Sequence, residues 1–289
     1  MISTSFVPEV GPWAEDKLEC LRRYLAAYTT ILRKQRFKGY VYVDAFAGAG
    51  TAKIRKKKAG NAENQAFLSA LGLGEDQGQE RFIFGSPRIA LDIEHPFTHY
   101  VFVELDEQRC NELHKLQHHY GTSRTIKISD QNCNAYLSQL VGKKGVNWQE
   151  WRGVVFLDPF GAHVPWKTLE GLARTKAFEV FINFPCMAIN RLARNDGHVT
   201  DNFRQILNGY FGSPEWFDVM YEKESGLFGT SMNKVGDASK ALLAWYRKRL
   251  KAEFGLASRA RLIRNTKNSP LYYLRYPLKA GQVGVGHVR

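Results

Sequence analysis

A chain of 289 residues, 44% hydrophobic and 24% charged, has ordinary globular composition and is long enough for one large folded domain. Eighteen Phe, 13 Tyr and 6 Trp exclude disorder as its main state. Its 41 Lys and Arg outnumber 28 Asp and Glu, a net charge of +13 that points to an anionic partner, nucleic acid first.

Four cysteines, Cys20, Cys110, Cys133 and Cys186, form no C-x-x-C pair, which excludes a zinc ribbon, a redox pair and a disulfide scaffold. The N-terminus lacks a basic region followed by an apolar stretch, and no 18-residue apolar run occurs. The expected setting is therefore cytoplasmic, without a membrane span. His114 and His118 stand one helical turn apart, but no Glu follows His114, so no metal site is expected.

In chain order, apolar residues at spacings of three and four predict an amphipathic helix over 13–36. A β-rich run at 40–44 ends in Asp44 and enters a glycine turn, Ala45 to Gly50. Residues 51–84 read as irregular, and Ser86-Pro87 as the cap of a helix over about 87–94. Strands follow at 99–104, 124–128, 153–158 and 178–184, separated by helices at 107–119, 133–141 and 166–174. Residues 187–226 read as short helices and loops, 237–254 as a longer helix and 270–276 as a closing strand. Near-continuous apolar strands alternating with helices predict an α/β fold: a mostly parallel sheet covered on both faces. The division expected is a core over 1–195, with an N-terminal helix and an insertion at about 51–85. A helical, basic part over 196–289 would complete the fold or form a small substrate lobe.

Three of the strands end in acids, and the first runs straight into Asp44-Ala45-Phe46-Ala47-Gly48-Ala49-Gly50. Gly48 and Gly50 are suited to positive φ and to close approach of a ligand to bare backbone. In doubly wound sheets ligands bind beyond the carboxyl ends of the strands. The turn is neither a dinucleotide fingerprint, since no third glycine follows, nor a phosphate-binding P-loop. Glu104, ending the second strand, is placed to accept hydrogen bonds from ribose hydroxyls. An unpaired carboxylate there has little structural use and some cost. Asp106 and Asp130 read equally as helix caps. Asp158 lies too far ahead of the helix at 166 to cap it, and a carboxylate in that position can orient an amine or take its proton.

These segments resemble a known family. Asp44-x-Phe46-x-Gly48-x-Gly50-Thr51 is similar to the D-x-F-x-G-x-G-T motif of class I S-adenosylmethionine-dependent methyltransferases acting on amino groups. Trp13-Ala-Glu-Asp-Lys17-Leu18, Phe84-Gly-Ser-Pro87, Val103-Glu-Leu-Asp106 and Leu157-Asp-Pro-Phe-Gly161 look like the three-Cys-motif partner family. So do Val164-Pro-Trp166, Thr175-Lys176, Phe184-Pro185 and Asn190-Arg191. The resemblance spans roughly residues 13–195 and, more loosely, runs to about 276.

It implies a Rossmann-like class I methyltransferase fold, S-adenosyl-L-methionine as cofactor and a three-cysteine-motif protein as a partner. Asp44, Phe46, Ala47, Gly48 and Gly50 would line the methionine and ribose side of the cofactor. Glu104, with Leu105 beside it, would bind the ribose, and Asp130 with Gln131 or Asn132 would meet adenine. Asp158-Pro159-Phe160-Gly161 stands where the catalytic D/N-P-P-Y/F motif would be. Here Phe160 replaces the second proline and Gly161 the aromatic residue. The resemblance thus implies methyl transfer, with an amino group or base of nucleic acid as the acceptor expected first. A cofactor-binding partner subunit without transfer activity, or a methyltransferase of a small molecule or protein, are the alternatives. Pro185-Cys186 matches the cytosine-C5 methyltransferase pair in residue type but follows the fifth strand, so a small buried cysteine is expected there.

The charge is concentrated. Residues 240–289 carry twelve Lys or Arg against the single acid Glu253, and the run 53–58 adds five more positive charges. Mixed with Trp245, Tyr246, Tyr272, Tyr273 and Tyr276, these segments suit RNA or DNA: phosphate contacts plus stacking. A solvated basic helix whose aromatics pack inward is the other reading. The anion is expected across a mouth marked by Asp44, Glu104 and Asp158.

Overall fold

The computed structural model describes residues 7–55, 81–226, 229–255, 261–264 and 270–276. Its first part runs β1 (Glu9–Val10), α1 (Trp13–Leu32), β2 (Gly39–Asp44), β3 (Thr51–Ile54), β4 (Phe82–Phe84), α2 (Ser86–Leu91), β5 (His99–Val103), α3 (Glu107–Tyr120), β6 (Ile126–Ser129) and α4 (Cys133–Val141). The second part runs β7 (Trp151–Leu157), α5 (Trp166–Thr175), β8 (Phe178–Phe184), α6 (Cys186–Leu192), α7 (Asp201–Phe211), α8 (Trp216–Met220), β9 (Tyr221–Gly226), β10 (Gly229–Lys234), α9 (Ala238–Phe254), β11 (Arg261–Arg264) and β12 (Pro270–Tyr276).

Seven strands form the main sheet in the order β11-β12-β8-β7-β2-β5-β6. The five from β8 to β6 are parallel, whereas β12 inserts antiparallel between β8 and β11. This is the Rossmann-like class I methyltransferase fold, with one reversed strand near the edge. The reversal of chain order falls at β2, whose two neighbours are β5 and β7. A crevice outside the carboxyl ends opens at such a switch point.

Period-two alternation sorts the strand side chains onto two faces. Tyr42, Phe102, Val154, Phe156 and Phe181 point to the face packed by Leu21, Tyr24, Leu25 and Tyr28 of α1, by α2 and by Leu113 of α3. Val41, Val43, Val101, Val155, Leu157, Val180 and Ile182 point to the other face, under α4 to α9. Tyr210, Phe211, Trp216, Leu242, Tyr246 and Leu250 belong to that same buried cluster, so residues through Phe254 share the sheet's core. Tyr246 is fully buried, its ring stacked on that of Tyr210.

Several stretches differ from the sequence reading, among them the unexpected strands β1 and β11. The first helix stops at Leu32 rather than 36, because Arg33 to Arg36 are exposed and have no apolar side chain for the sheet. The stretch at 51–84 is not irregular at its ends: β3 pairs with β4 antiparallel and with β1 parallel, a small sheet above the glycine turn. Within 187–226 and just beyond, β9 and β10 form an antiparallel hairpin. Its sequence is mostly polar and Glu222 to Ser225 are exposed, and although Tyr221 and Met232 pack on the core, no apolar period announces the strands. The middle of the insertion, 56–80, and with it most of the basic run at 53–58, lies outside the described residues. So do 256–260, 265–269 and 277–289 of the basic C-terminal part.

Candidate functional site

The glycine turn is pinned on both sides. The Ala45 N–H donates to the Phe156 carbonyl of β7 and the Ala47 N–H to the Val103 carbonyl of β5, each at 3.0 Å. Gly48 and Gly50 take φ of 65° and 75°, where any side chain is strained. Gly85, just ahead of α2, presses against the Gly50 backbone, and its N–H donates to the Gly50 carbonyl at 2.8 Å. A Cβ on Gly85 would stand 3.1 Å from Gly50 C. The second strand of the insertion is thereby locked to the turn.

Asp44 lies beneath this turn and not at a mouth. Its side chain is fully buried. The Tyr42 hydroxyl donates to it at 3.1 Å, the Phe46 N–H at 3.4 Å, and the Ser86 hydroxyl also bonds it. Burial pushes its carboxyl up to about 7; Asp158 adds to that, while the three hydrogen bonds oppose it. Ser86 therefore does not cap its helix: the N-cap position is Gly85, with Pro87 in the first turn.

Glu104 is paired, contrary to its expected state. One oxygen accepts from the Gly48 N–H at 2.8 Å, the other from Leu105 N–H at 2.9 Å and Asp106 N–H at 3.1 Å, and Arg109 lies 3.8 Å away. The carboxylate thus clamps the glycine turn to the end of β5. Asp106 is the N-cap of α3, accepting from the Arg109 N–H at 3.0 Å. Asp130 is exposed and caps nothing; Asn132 instead is the N-cap of α4, accepting from Asn134 N–H at 2.9 Å.

Beside Glu104 lies a cavity of about 230 Å³ at the carboxyl ends of β2, β5 and β6. It brings together Phe46, Glu104, Leu105, Gln131 and Asn132 of the expected set. Asp44, Ala47, Gly48, Gly50, Asp130 and the 158–161 segment are not among its lining residues. Cys133, Asn134 and His163 line it without having been expected. His163 arrives through a folded loop: its N–H donates to the Gly161 carbonyl, and Asn134 Nδ2 donates to the His163 carbonyl at 2.8 Å. Gly161 makes room for it, since a Cβ there would stand 3.0 Å from the imidazole. That glycine was the only sequence signal for the approach. The Cys133 thiol is pushed up to about 11 by burial, so it is a packing group and not a nucleophile.

Next to this cavity, after β7, Asp158 forms an ion pair with Lys17 of α1. Both side chains are mostly buried, 16% exposed for Lys17 and 19% for Asp158. The helix that begins at 166 has Pro165 at its N-cap position, so Asp158 does not cap it. Pro159 is buried, and Phe160 is 92% exposed. The Phe160 ring belongs to neither buried cluster and lies in solvent close in sequence to the partly buried Asp158 carboxylate. Lys17→Met should lower stability by about 1–2 kcal/mol, since it removes the ammonium paired with a carboxylate that is four-fifths buried. Urea unfolding of the variant checks this, and a change below 0.5 kcal/mol would mean the pair contributes nothing.

Cys186 is buried at the start of α6, and burial raises its thiol pKa, as suits a small packing residue. Trp245 packs on the core, and the Arg249 guanidinium stacks 4.3 Å from the Trp166 ring and 5.0 Å from that of Trp245. Of the described aromatics of α9, Tyr246 and Phe254 are buried, and Trp245 is half-buried beside Arg249.

No family model matches the chain, and no curated protein matches it. Among solved structures, it is similar to protein LPL1258 from Legionella pneumophila, at 13% identity over 89% of this chain and 96% of that one, with a TM-score of 0.42. Trm1 from Pyrococcus horikoshii, solved with S-adenosyl-L-methionine, is similar at 10% identity over 92% of this chain, with a TM-score of 0.41. The chain spans 57% of the length of that protein. The putative methyltransferase YhhF from Escherichia coli follows at 13% identity over 74% of this chain and 82% of that one, with a TM-score of 0.32. The fold class rests on the strand order and not on these likenesses.

Proposed function

We propose that the chain is an S-adenosylmethionine-dependent methyltransferase acting on an amino group or base of nucleic acid. The observation that carries this reading is the juxtaposition at one sheet edge of the Glu104-flanked cavity and the Asp158-Pro159-Phe160 segment. The cavity suits an adenosine moiety. Leu105, 69% exposed, offers an apolar wall, Gln131 and Asn132 offer amides, and Glu104 offers acceptor lone pairs beyond those already used. At about 230 Å³ it is smaller than the roughly 300–1,000 Å³ of a drug-sized site, so it would house the nucleoside part only.

Bound there, the cofactor supplies a methyl group already activated for attack by nitrogen. The protein's share is alignment of the acceptor. Asp158 would accept a hydrogen bond from the target amino group and take its proton, while Phe160 stacks on the base. Basic residues of 53–58 and 240–289 would hold the phosphates.

Calorimetry with S-adenosylmethionine tests the cofactor. Binding by the wild type and its loss in Asp44→Ala/Glu104→Ala are expected; no wild-type binding, or full binding by the variant, overturns the reading. Phe160→Ala should leave stability within about 0.5 kcal/mol, because the ring is exposed, yet lower methylation of a nucleic-acid substrate at least tenfold. A radiolabelled-methyl assay over DNA, RNA and protein fractions reads that loss.

One observation favours a second reading, a cofactor-binding partner subunit of a three-cysteine-motif protein. The acceptor carboxylate Asp158 is already held by the Lys17 ammonium. Co-purification with such a protein, and no label transfer by the isolated chain, would select that reading. A reducing, cytoplasmic setting suits either reading, since Cys20, Cys110, Cys133 and Cys186 are thiols and not disulfides. Among the described residues no helix is long and apolar enough to cross a membrane.

A further inference from the structure

A second cavity, of about 430 Å³, opens at the opposite, amino-terminal edge of the sheet. α4 has nine residues, about 13 Å of helix, and ends at Val141. Beyond its last turn, the starts of β5 and β6 are walled by aromatic side chains rather than filled. The Trp148 ring lies 5.2 Å from Phe178, and Trp151 meets His99 edge-on at 5.4 Å. Trp151 lies flat across Gly39, where a Cβ would stand 2.3 Å from its ring, so this wall is fixed in place. Both tryptophans are only half-buried.

Beside the uncharged polar side chains of Thr125 and Gln139, the charged groups at this cavity are of one sign. Lys127 and Lys143 line it and are exposed, the Lys127 ammonium 5.1 Å from the Tyr136 ring centroid, and none of the lining residues is acidic. Apolar aromatic walls with a few convergent polar groups are the usual make-up of a small-molecule site, and the volume falls in the usual range of about 300–1,000 Å³. A phosphate would need a denser set of charged donors than two solvent-facing lysines provide, and a neutral sugar would leave both cations without a role. A neutral hydrocarbon would leave the two cations without a role.

We propose that this cavity binds a small planar aromatic anion, a carboxylate or sulfonate. Its ring packs on Trp148, Trp151 and Phe178, and its charge meets Lys127 and Lys143. This site is separate from the carboxyl-edge cavity and does not depend on the proposed methyl transfer.

The test uses the full chain and two probes of nearly the same shape, 8-anilinonaphthalene-1-sulfonate and uncharged N-phenyl-1-naphthylamine. Saturable one-to-one binding of the sulfonate with quenching of tryptophan fluorescence is expected, at least tenfold tighter than the amine. Lys127→Ala/Lys143→Ala should weaken sulfonate binding about tenfold and leave the amine unchanged. Leu140→Trp, which fills the cavity from α4, should weaken both probes. Equal affinities in the wild type, or an unaltered sulfonate affinity in the double variant, overturns the proposal. The double variant alters exposed side chains only, so the test stands even where Leu140→Trp fails to fold.

Discussion

Replacing Asp44 by Asn should make the protein's stability markedly less sensitive to pH, with a gain over wild type that grows from pH 5 to pH 8 by about 3 kcal/mol. Asp44 has its ordinary carboxyl pKa of 3.8 when unfolded and about 7 when buried in the fold. Between those values the native state holds a proton that the unfolded chain has released. The protonated fold is therefore favoured fully below about pH 4, and this contribution is lost as pH rises through 7. Asparagine has no proton to lose and keeps an oxygen for the Phe46 N–H. Any fixed cost of the swap, such as reorientation against Tyr42 and Ser86, is the same at every pH and drops out of the comparison. Urea denaturation of both proteins from pH 5 to pH 8 reads the effect. Parallel curves would show that Asp44 ionises in the fold as it does in water.

Glu104→Ala should cost about 2–3 kcal/mol of stability and at least a hundredfold in S-adenosylmethionine affinity, two effects with one origin. The carboxylate accepts the N–H groups of Gly48, Leu105 and Asp106, and the Gly48 bond ties the glycine turn to the end of β5. Removing it leaves the partly buried Gly48 N–H without this acceptor and releases the glycine turn from the end of β5. The same carboxylate lines the cavity proposed for adenosine. Glu104→Gln separates the effects. Its amide oxygen can accept from Gly48 and should restore most of the stability, whereas the lost charge keeps ribose binding weak. Calorimetry of both variants beside their unfolding midpoints decides this; recovery of affinity in Glu104→Gln would mean that only the clamp matters.

Much of the site was legible because its signals are local. A strand that ends in Asp44 and turns on Gly48 and Gly50 reads directly from residue types, and near-continuous apolar runs placed the other four parallel strands, with helical segments between them. Asp106 as a cap is equally a matter of neighbours three residues apart. The three-residue β4 is too short to show a period, and the β9–β10 hairpin sets Tyr221 and Met232 on the core within a mostly polar sequence, so neither carried such a signal. Asn132 took the cap that Asp130 was equally suited to by composition, because only the chain's exit from β6 decides which side chain reaches the first turn of α4.

The alternating α/β order, the acids at the strand ends and the glycine turn were all readable from residue types and short-range sterics. What those acids do depends on the tertiary fold. It buried Asp44, turned Glu104 back onto the Gly48 backbone, and brought Lys17 across 141 residues to Asp158. It also opened the amino-edge cavity beneath Trp148 and Trp151. A carboxylate's partners are set by which elements the sheet brings side by side, and that depends on strand order, which no local pattern encodes.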